Sequence, residues 1–207
     1  MSEETFIRQH LQQFIDHIFS YDERFAYNWS NSFLQVSGVQ EQDMQKPDYL
    51  ASVIPDIGFK YDVFVLEVKK RRKQSNQYFS DLVKTGKEMK RMVDAMVELG
   101  VESPAALGIV VAGDVCRMFK TDLEFDGIYR MIQIGQFHLI RSTSDVNLTL
   151  TILEHLTHIK TLTCQVVSKI KASFSGGAEH QNHRLKFKRK SFGSPLIQRK
   201  KHKSKFD

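Results

Sequence analysis

Two cysteines, Cys116 and Cys164, are all the thiol chemistry in this 207-residue chain. So few exclude a disulfide scaffold. The chain also lacks the roughly 18 consecutive apolar residues of a membrane span. Its opening, Met1-Ser2-Glu3-Glu4-Thr5-Phe6, is acidic and has no apolar core, so it does not read as an export signal. Without export the two thiols are expected reduced and packed. The glycosylation patterns at Asn28-Trp29-Ser30 and Asn147-Leu148-Thr149 are then idle. The glycines form no phosphate-binding loop; Gly108 and Gly113 read as packing or turn residues. His155 and His158 sit three apart without a third zinc ligand, and no Ser-His-Asp or Cys-His arrangement follows from the spacing. No internal repeat is visible.

What is present is a core and a tail. A hydrophobic content of 41% suits a globular domain, and the length allows one domain plus an extension. The net charge of +6 is unevenly spread. Residues 1–174 carry 20 basic and 22 acidic side chains, whereas 184–205 hold 10 of the 30 basic ones. After Phe174 the composition turns to Ser, Gly, His, Lys and Arg, which predicts a disordered basic tail over 175–207 behind a domain over 1–174.

Hydrophobic periodicity predicts a helix over 5–19, with Phe6, Ile7, Leu11, Phe14, Ile15, Ile18 and Phe19 on its buried face. Residues 24–36 are aromatic-rich and ambiguous, with a strand as one reading. Two strands are predicted over 48–54 and 61–69, with turn chemistry at Pro55-Asp56-Ile57-Gly58. A second helix over 77–99 has Leu82, Val83, Met89, Met92, Val93, Met96 and Val97 as its apolar stripe and Gly100 as its stop. The apolar run Ala105–Ala112 suits a strand buried on both faces. Strands over 115–123 and 127–134 follow. A long last helix, capped by Ser142 or Ser144, reaches about Ala172 with Ile152, Leu156, Ile159, Val166 and Ile170 along one side. The fold class is α/β, a mixed central sheet flanked by helices.

The second of the paired strands ends in Glu67-Val68-Lys69, after an apolar run. Residues i and i+2 of a strand share a face, so Glu67 and Lys69 point the same way. If the hairpin turns near Ile57-Gly58, Asp48 falls opposite Glu67, with Cβ atoms about 4.5–5.5 Å apart. Two carboxylates that close repel unless a cation lies between them. A hard divalent ion with oxygen ligands at about 2.0–2.1 Å fits, which makes Mg²⁺ or Mn²⁺ the expected cofactor. Lys69 is then placed to orient or help deprotonate a water, or to stabilise charge on a phosphate. Asp56, in the turn, lies over about 20 Å from Glu67 along the strand and takes no part.

Pro47-Asp48 followed by Glu67-Val68-Lys69 resembles the PD-(D/E)xK motif of the restriction-endonuclease-like nucleases. The order of helix, motif-bearing hairpin, helix and strand is similar to that family's core. The resemblance implies a restriction-endonuclease-like fold, Asp48 and Glu67 as metal ligands, Lys69 as the catalytic lysine and a nucleic acid, DNA or RNA, as substrate. A further acidic residue on the first helix is common there, and Asp16 or Glu23 matches that position. The Gln-x-x-x-Tyr motif of the exonuclease branch is absent, because Tyr78 follows Gln77 at once. The stretch from about 5 to 172 also resembles uncharacterised intracellular proteins expanded in mucoralean fungi.

Basic residues surround the motif. Lys70, Arg71 and Arg72 follow it directly and would draw a polyanion toward Lys69. Lys84, Lys87 and Arg91 recur along one side of the second helix and suit phosphate contacts, or a plain solvated face. In the tail, Lys188, Arg189 and Lys190 and then Arg199, Lys200 and Lys201 form two clusters resembling a bipartite nuclear import signal, which implies an import receptor as partner and a nuclear location. Two other readings stand beside the nuclease: a catalytically silent version that binds nucleic acid or protein, and an interaction module in which Glu67 and Lys69 form a strand-end ion pair.

Overall fold

A computed structural model describes residues 3–29, 46–56, 59–69, 75–175 and 183–189 of the chain. The expected first helix is one helical run with a hitch: α1 (Glu3–His10), α2 (Gln12–Ile15) and a π turn over Asp16–Ser20. Leu11 breaks the α geometry, with φ −129°, yet its N–H still reaches the Ile7 carbonyl at 3.0 Å. Of the predicted apolar face, Phe6, Ile7, Leu11, Ile15, Ile18 and Phe19 are buried and Phe14 is half-buried.

Six strands form one sheet in sequence order: β1 (Ala26–Trp29), β2 (Tyr49–Asp56), β3 (Phe59–Lys69), β4 (Ala105–Ala112), β5 (Val115–Phe125) and β6 (Ile128–His138). All neighbours are antiparallel except β3 and β4, which run parallel. A parallel pair needs a crossover, and α3 (Ser75–Glu98) supplies it. Gly100, at φ +84°, ends α3 as expected, with Val101 N–H returning to the Met96 carbonyl at 2.9 Å. Every residue of β4 is buried, because helices cover both sides of it. The chain is thus mixed α/β with a mixed sheet between helices.

The β2–β3 hairpin carries a bulge that decides which way its residues face. Ala51 pairs with Phe64 but Ser52 pairs with Asp62, so Val63 is extra. A bulge reverses the alternation of side chains beyond it. On one side of it, Phe59 and Tyr61 meet Phe174 of α4 (Leu148–Ser175). Beyond it, Phe64 stacks on Phe19 at 4.5 Å between ring centres, while Val65 turns toward Met89 of α3. Gly108 of β4 lets that helix approach: a Cβ there would lie 3.0 Å from Val65 Cγ1 and 3.1 Å from Met89 Sδ.

Some boundaries differ from expectation. Strand β2 begins at Tyr49, with Asp48 one residue outside it. Asp56 is not in the turn but closes the strand opposite Phe59. Val83 is exposed rather than part of the α3 stripe; Met89, Met92, Val93, Met96 and Val97 are buried. Ser142 caps a short 3₁₀ turn, Thr143–Asp145, in a capping box with Asp145, and α4 starts after it. Part of the tail expected to lack structure lies against the domain. His183–Phe187 forms a 3₁₀ turn, Phe187 contacts the core, Lys188 pairs with Glu98, and Arg189 reaches Asp126 at 2.8 Å. One aromatic ring and two acidic partners are what the composition of the segment hid. Among the described residues no helix is long and apolar enough to cross a membrane.

Phe64 is fully buried between the N-terminal segment and β2. Phe64→Ala is expected to cost about 3–5 kcal/mol in urea titration, and Val83→Ala less than about 0.5 kcal/mol. Equal losses in the two variants would contradict this division of core and surface.

Candidate active site

The site forms where the parallel strands end. Glu67 pairs with Val110 and Lys69 with Ala112, at the carboxyl end of β3 and β4. In open α/β sheets this end, outside the carboxyl termini of parallel strands, is where ligands bind. Glu67 sits two residues past Val65 on the α3 face. Its side chain is only 1% exposed.

Lys84 reaches in from α3. Its ammonium donates to Glu67 Oε1 and, at 3.0 Å, to the carbonyl of Lys46. It lies 3.7 Å from Oε1 of Glu88, one helical turn on. Glu88 is fully buried, and neither of its carboxylate oxygens has a hydrogen-bond partner.

Asp48 is tied to the same place through the backbone of β3. Its N–H donates to the Leu66 carbonyl at 3.1 Å, and its Oδ2 accepts the Val68 N–H at 2.7 Å. The carboxylate takes the place a strand carbonyl would fill, which is why the strand begins one residue later. Tyr49 pairs with Leu66, so Asp48 stands level with Glu67 as the register argument predicts. Lys69 follows on Glu67's face, half-buried, and its charge acts on Glu67.

Burial dominates the electrostatics. It pushes the Glu67 carboxyl up to about 7, against the Lys84 hydrogen bond and with the help of the Asp48 charge. It pushes Glu88 up to about 8, where the nearby Glu67 charge adds to the effect and Lys84 opposes it. Desolvation disfavours the charged carboxylate, and a like charge does so again. The Lys84 ammonium favours the charged form of both glutamates, and burial outweighs it at each.

Of the residues singled out in the sequence, Asp48, Glu67 and Lys69 come together here. Lys84, read from the sequence as a phosphate contact or part of a solvated face, is turned inward onto Glu67. Lys87 and Arg91 are half-buried on α3, and the Arg91 charge acts on Glu88. Asp16 is committed elsewhere, accepting Ser20 Oγ at 2.8 Å and Trp29 Nε1 at 2.7 Å, and Glu23 is exposed in the turn before β1. Lys188 and Arg189 are engaged with Glu98 and Asp126. Lys70, Arg71, Arg72, Lys190, Arg199, Lys200 and Lys201 lie outside the described residues.

Glu88 is the residue that sequence reasoning missed. Its signal was position: it lies in the buried register of α3 with Thr85, Met89 and Met92, where an acid is out of place. Among the described residues no group of three or more His, Cys, Asp or Glu is drawn together tightly enough to hold a metal ion. The oxygen donors present are nonetheless of the type that Mg²⁺ or Mn²⁺ takes, and Glu88 leaves two of them unsatisfied. No family model, curated protein or solved structure matches the chain.

The raised carboxyls set a pH dependence. In the folded chain they hold protons above the ordinary value of 4.5, up to about 7 and 8. Their stabilising proton uptake is complete below that ordinary value and is lost as the pH rises through the folded values. Calorimetry of the metal-free chain should show Tm falling between about pH 5 and about pH 8.5, with a shallower fall in Glu88→Gln. A Tm that rises across this window would contradict the burial of the pair.

Proposed function

We propose that the chain is a divalent-metal-dependent phosphodiesterase of restriction-endonuclease-like fold that hydrolyses DNA or RNA. The observation that carries this reading is the joint placement of Asp48 and Glu67 at one strand end, with Lys69 next along Glu67's face. The element order supports it too: a helical segment, a motif-bearing hairpin, a crossover helix and a parallel strand. So does the cost of the arrangement. Apolar side chains at 67 and 88 would fill the space without the desolvation penalty that buried carboxylates carry.

In this reading Asp48 and Glu67 hold Mg²⁺ or Mn²⁺. Asp48 is oriented by the Val68 N–H, which leaves its second oxygen for the ion. When bound, the ion polarises the phosphoryl oxygen and makes water a better nucleophile. Lys69 orients that water or stabilises charge developing on the phosphate. Lys87, Arg91 and the cluster Lys70, Arg71 and Arg72 attract the polyanionic backbone. The basic tail adds sequence-independent attraction and a nuclear import signal for an import receptor, placing the protein in the nucleus.

A second reading has one observation of its own. The Lys84 ammonium already neutralises Glu67, as in a catalytically silent version that binds nucleic acid or a protein.

Cleavage assays with Mn²⁺ and Mg²⁺ on DNA and RNA separate the two. Asp48→Ala and Glu67→Ala are expected to lose both Mn²⁺ binding and cleavage. Lys69→Ala should keep the ion and lose turnover by about 10²–10³-fold, the scale of removing one charge-stabilising group. Undiminished Mn²⁺ affinity in Glu67→Ala would refute the ligand role, and metal binding without cleavage in the wild type would favour the silent reading.

Removal of residues 190–207 deletes six of the tail's cations. On duplex DNA each phosphate that is no longer neutralised should flatten the slope of log K against log salt by about 0.9. An unchanged slope, together with unchanged nuclear accumulation, would show that the tail plays neither role.

A further inference from the structure

We propose that Glu88 is a third oxygen ligand to the cation, completing with Asp48 and Glu67 a three-carboxylate site in which the Lys84 ammonium holds the ion's place. The inference rests on the metal-dependent reading above and adds a ligand from an element where none was expected. The first helix does not supply it, because Asp16 is already bound to Ser20 and Trp29. The crossover helix does.

Three features point to Glu88. Its side chain is fully buried and its carboxylate has no hydrogen-bond partner. Buried polar groups in folded proteins are almost always satisfied, so a pair of bare oxygens marks a place where something else binds. It also lies among Thr85, Met89 and Met92, where an apolar residue would fill the same space. Finally, oxygens from three segments gather around one positive centre. Lys84 Nζ is bound by Glu67 Oε1 and by the Lys46 carbonyl at 3.0 Å, and Glu88 Oε1 stands 3.7 Å away.

An ammonium is a single charge on a flexible stem that can swing aside. A divalent ion brings twice the charge and draws oxygens to about 2.0–2.1 Å. Its arrival requires Lys84 to leave and Glu88 to close in. On binding, the ion displaces the protons held by Glu67 and Glu88 and meets the three carboxylates with two positive charges where Lys84 offers one. The displaced ammonium remains beside the site, on the helix that also carries Lys87 and Arg91, where it can meet a phosphate oxygen.

Calorimetric titration of the full chain with Mn²⁺ tests this, with Glu67→Gln, Glu88→Gln and Glu88→Met beside the wild type. Both Glu88 variants are expected to weaken Mn²⁺ binding by at least about tenfold, the lower bound seen on losing a group that supports a metal. The metal-free Tm of Glu88→Met should be no lower than that of the wild type, because an apolar side chain of similar length replaces an unsatisfied one. Wild-type affinity in either folded Glu88 variant, beside lost affinity in Glu67→Gln, overturns this inference alone. Failure of both Glu88 variants to fold also overturns it, since Glu88 would then be structural. A wild type that binds no Mn²⁺, or a Glu67→Gln that binds as well as the wild type, removes the phosphodiesterase reading and this one with it.

Discussion

The burial of Glu67 beneath α3 is the constraint around which this end of the sheet is arranged. A carboxylate removed from water needs a cation or a proton. Lys84 supplies the cation, and in doing so it joins the crossover helix to the strand it leaves. The pairing is costly to make and costly to break. Desolvation offsets much of the attraction, but deleting one partner strands the other. Glu88 adds a second buried acid that the single ammonium satisfies only at a distance. A region of the core that an apolar sequence would stabilise more simply is thus held in a polar, titratable state.

The location of that region follows from topology. Strands β3 and β4 are the parallel pair, and β4 is apolar along its whole length. Glu67 and Lys69 stand at the carboxyl end of β3, level with the last residues of β4. The crossover brings α3 back across the same end, so groups on the strand and on the helix face each other without any loop between them. Gly108 permits the close approach: any side chain there would push Met89 and Val65 apart.

The chain's basic end is less separate from the domain than its composition suggests. Phe187 finds the core, and Lys188 and Arg189 find Glu98 and Asp126. Surface ion pairs of this kind contribute little each, about 0–1 kcal/mol. The ring fixes where the segment sits, and the charges make that position compatible with water. Two of the segment's cations are thereby committed to acidic partners on the domain surface.

Much of the fold was legible in the residues themselves. Continuous apolar residues over Ala105–Ala112 suited a strand covered on both faces, and the three- and four-residue spacing in α3 and α4 favoured helices. The level placement of Asp48 and Glu67 was legible too, though for an incomplete reason. Simple counting back from the turn ignores the bulge at Val63, and it succeeds because a second shift between Val53 and Asp56 restores the register. The strand alternation that put Lys69 with Glu67 is local and needs no partner. What lay beyond reach was the meeting of elements distant in sequence. Nothing local shows that Lys84 turns inward to Glu67, 17 residues away, or that Asp48 spends an oxygen on the Val68 N–H. Nor does it show that Glu88 is sealed from water. Sequence patterning sets which face of an element is apolar. Only the packing of one element on another decides which charge is buried, and beside which neighbour.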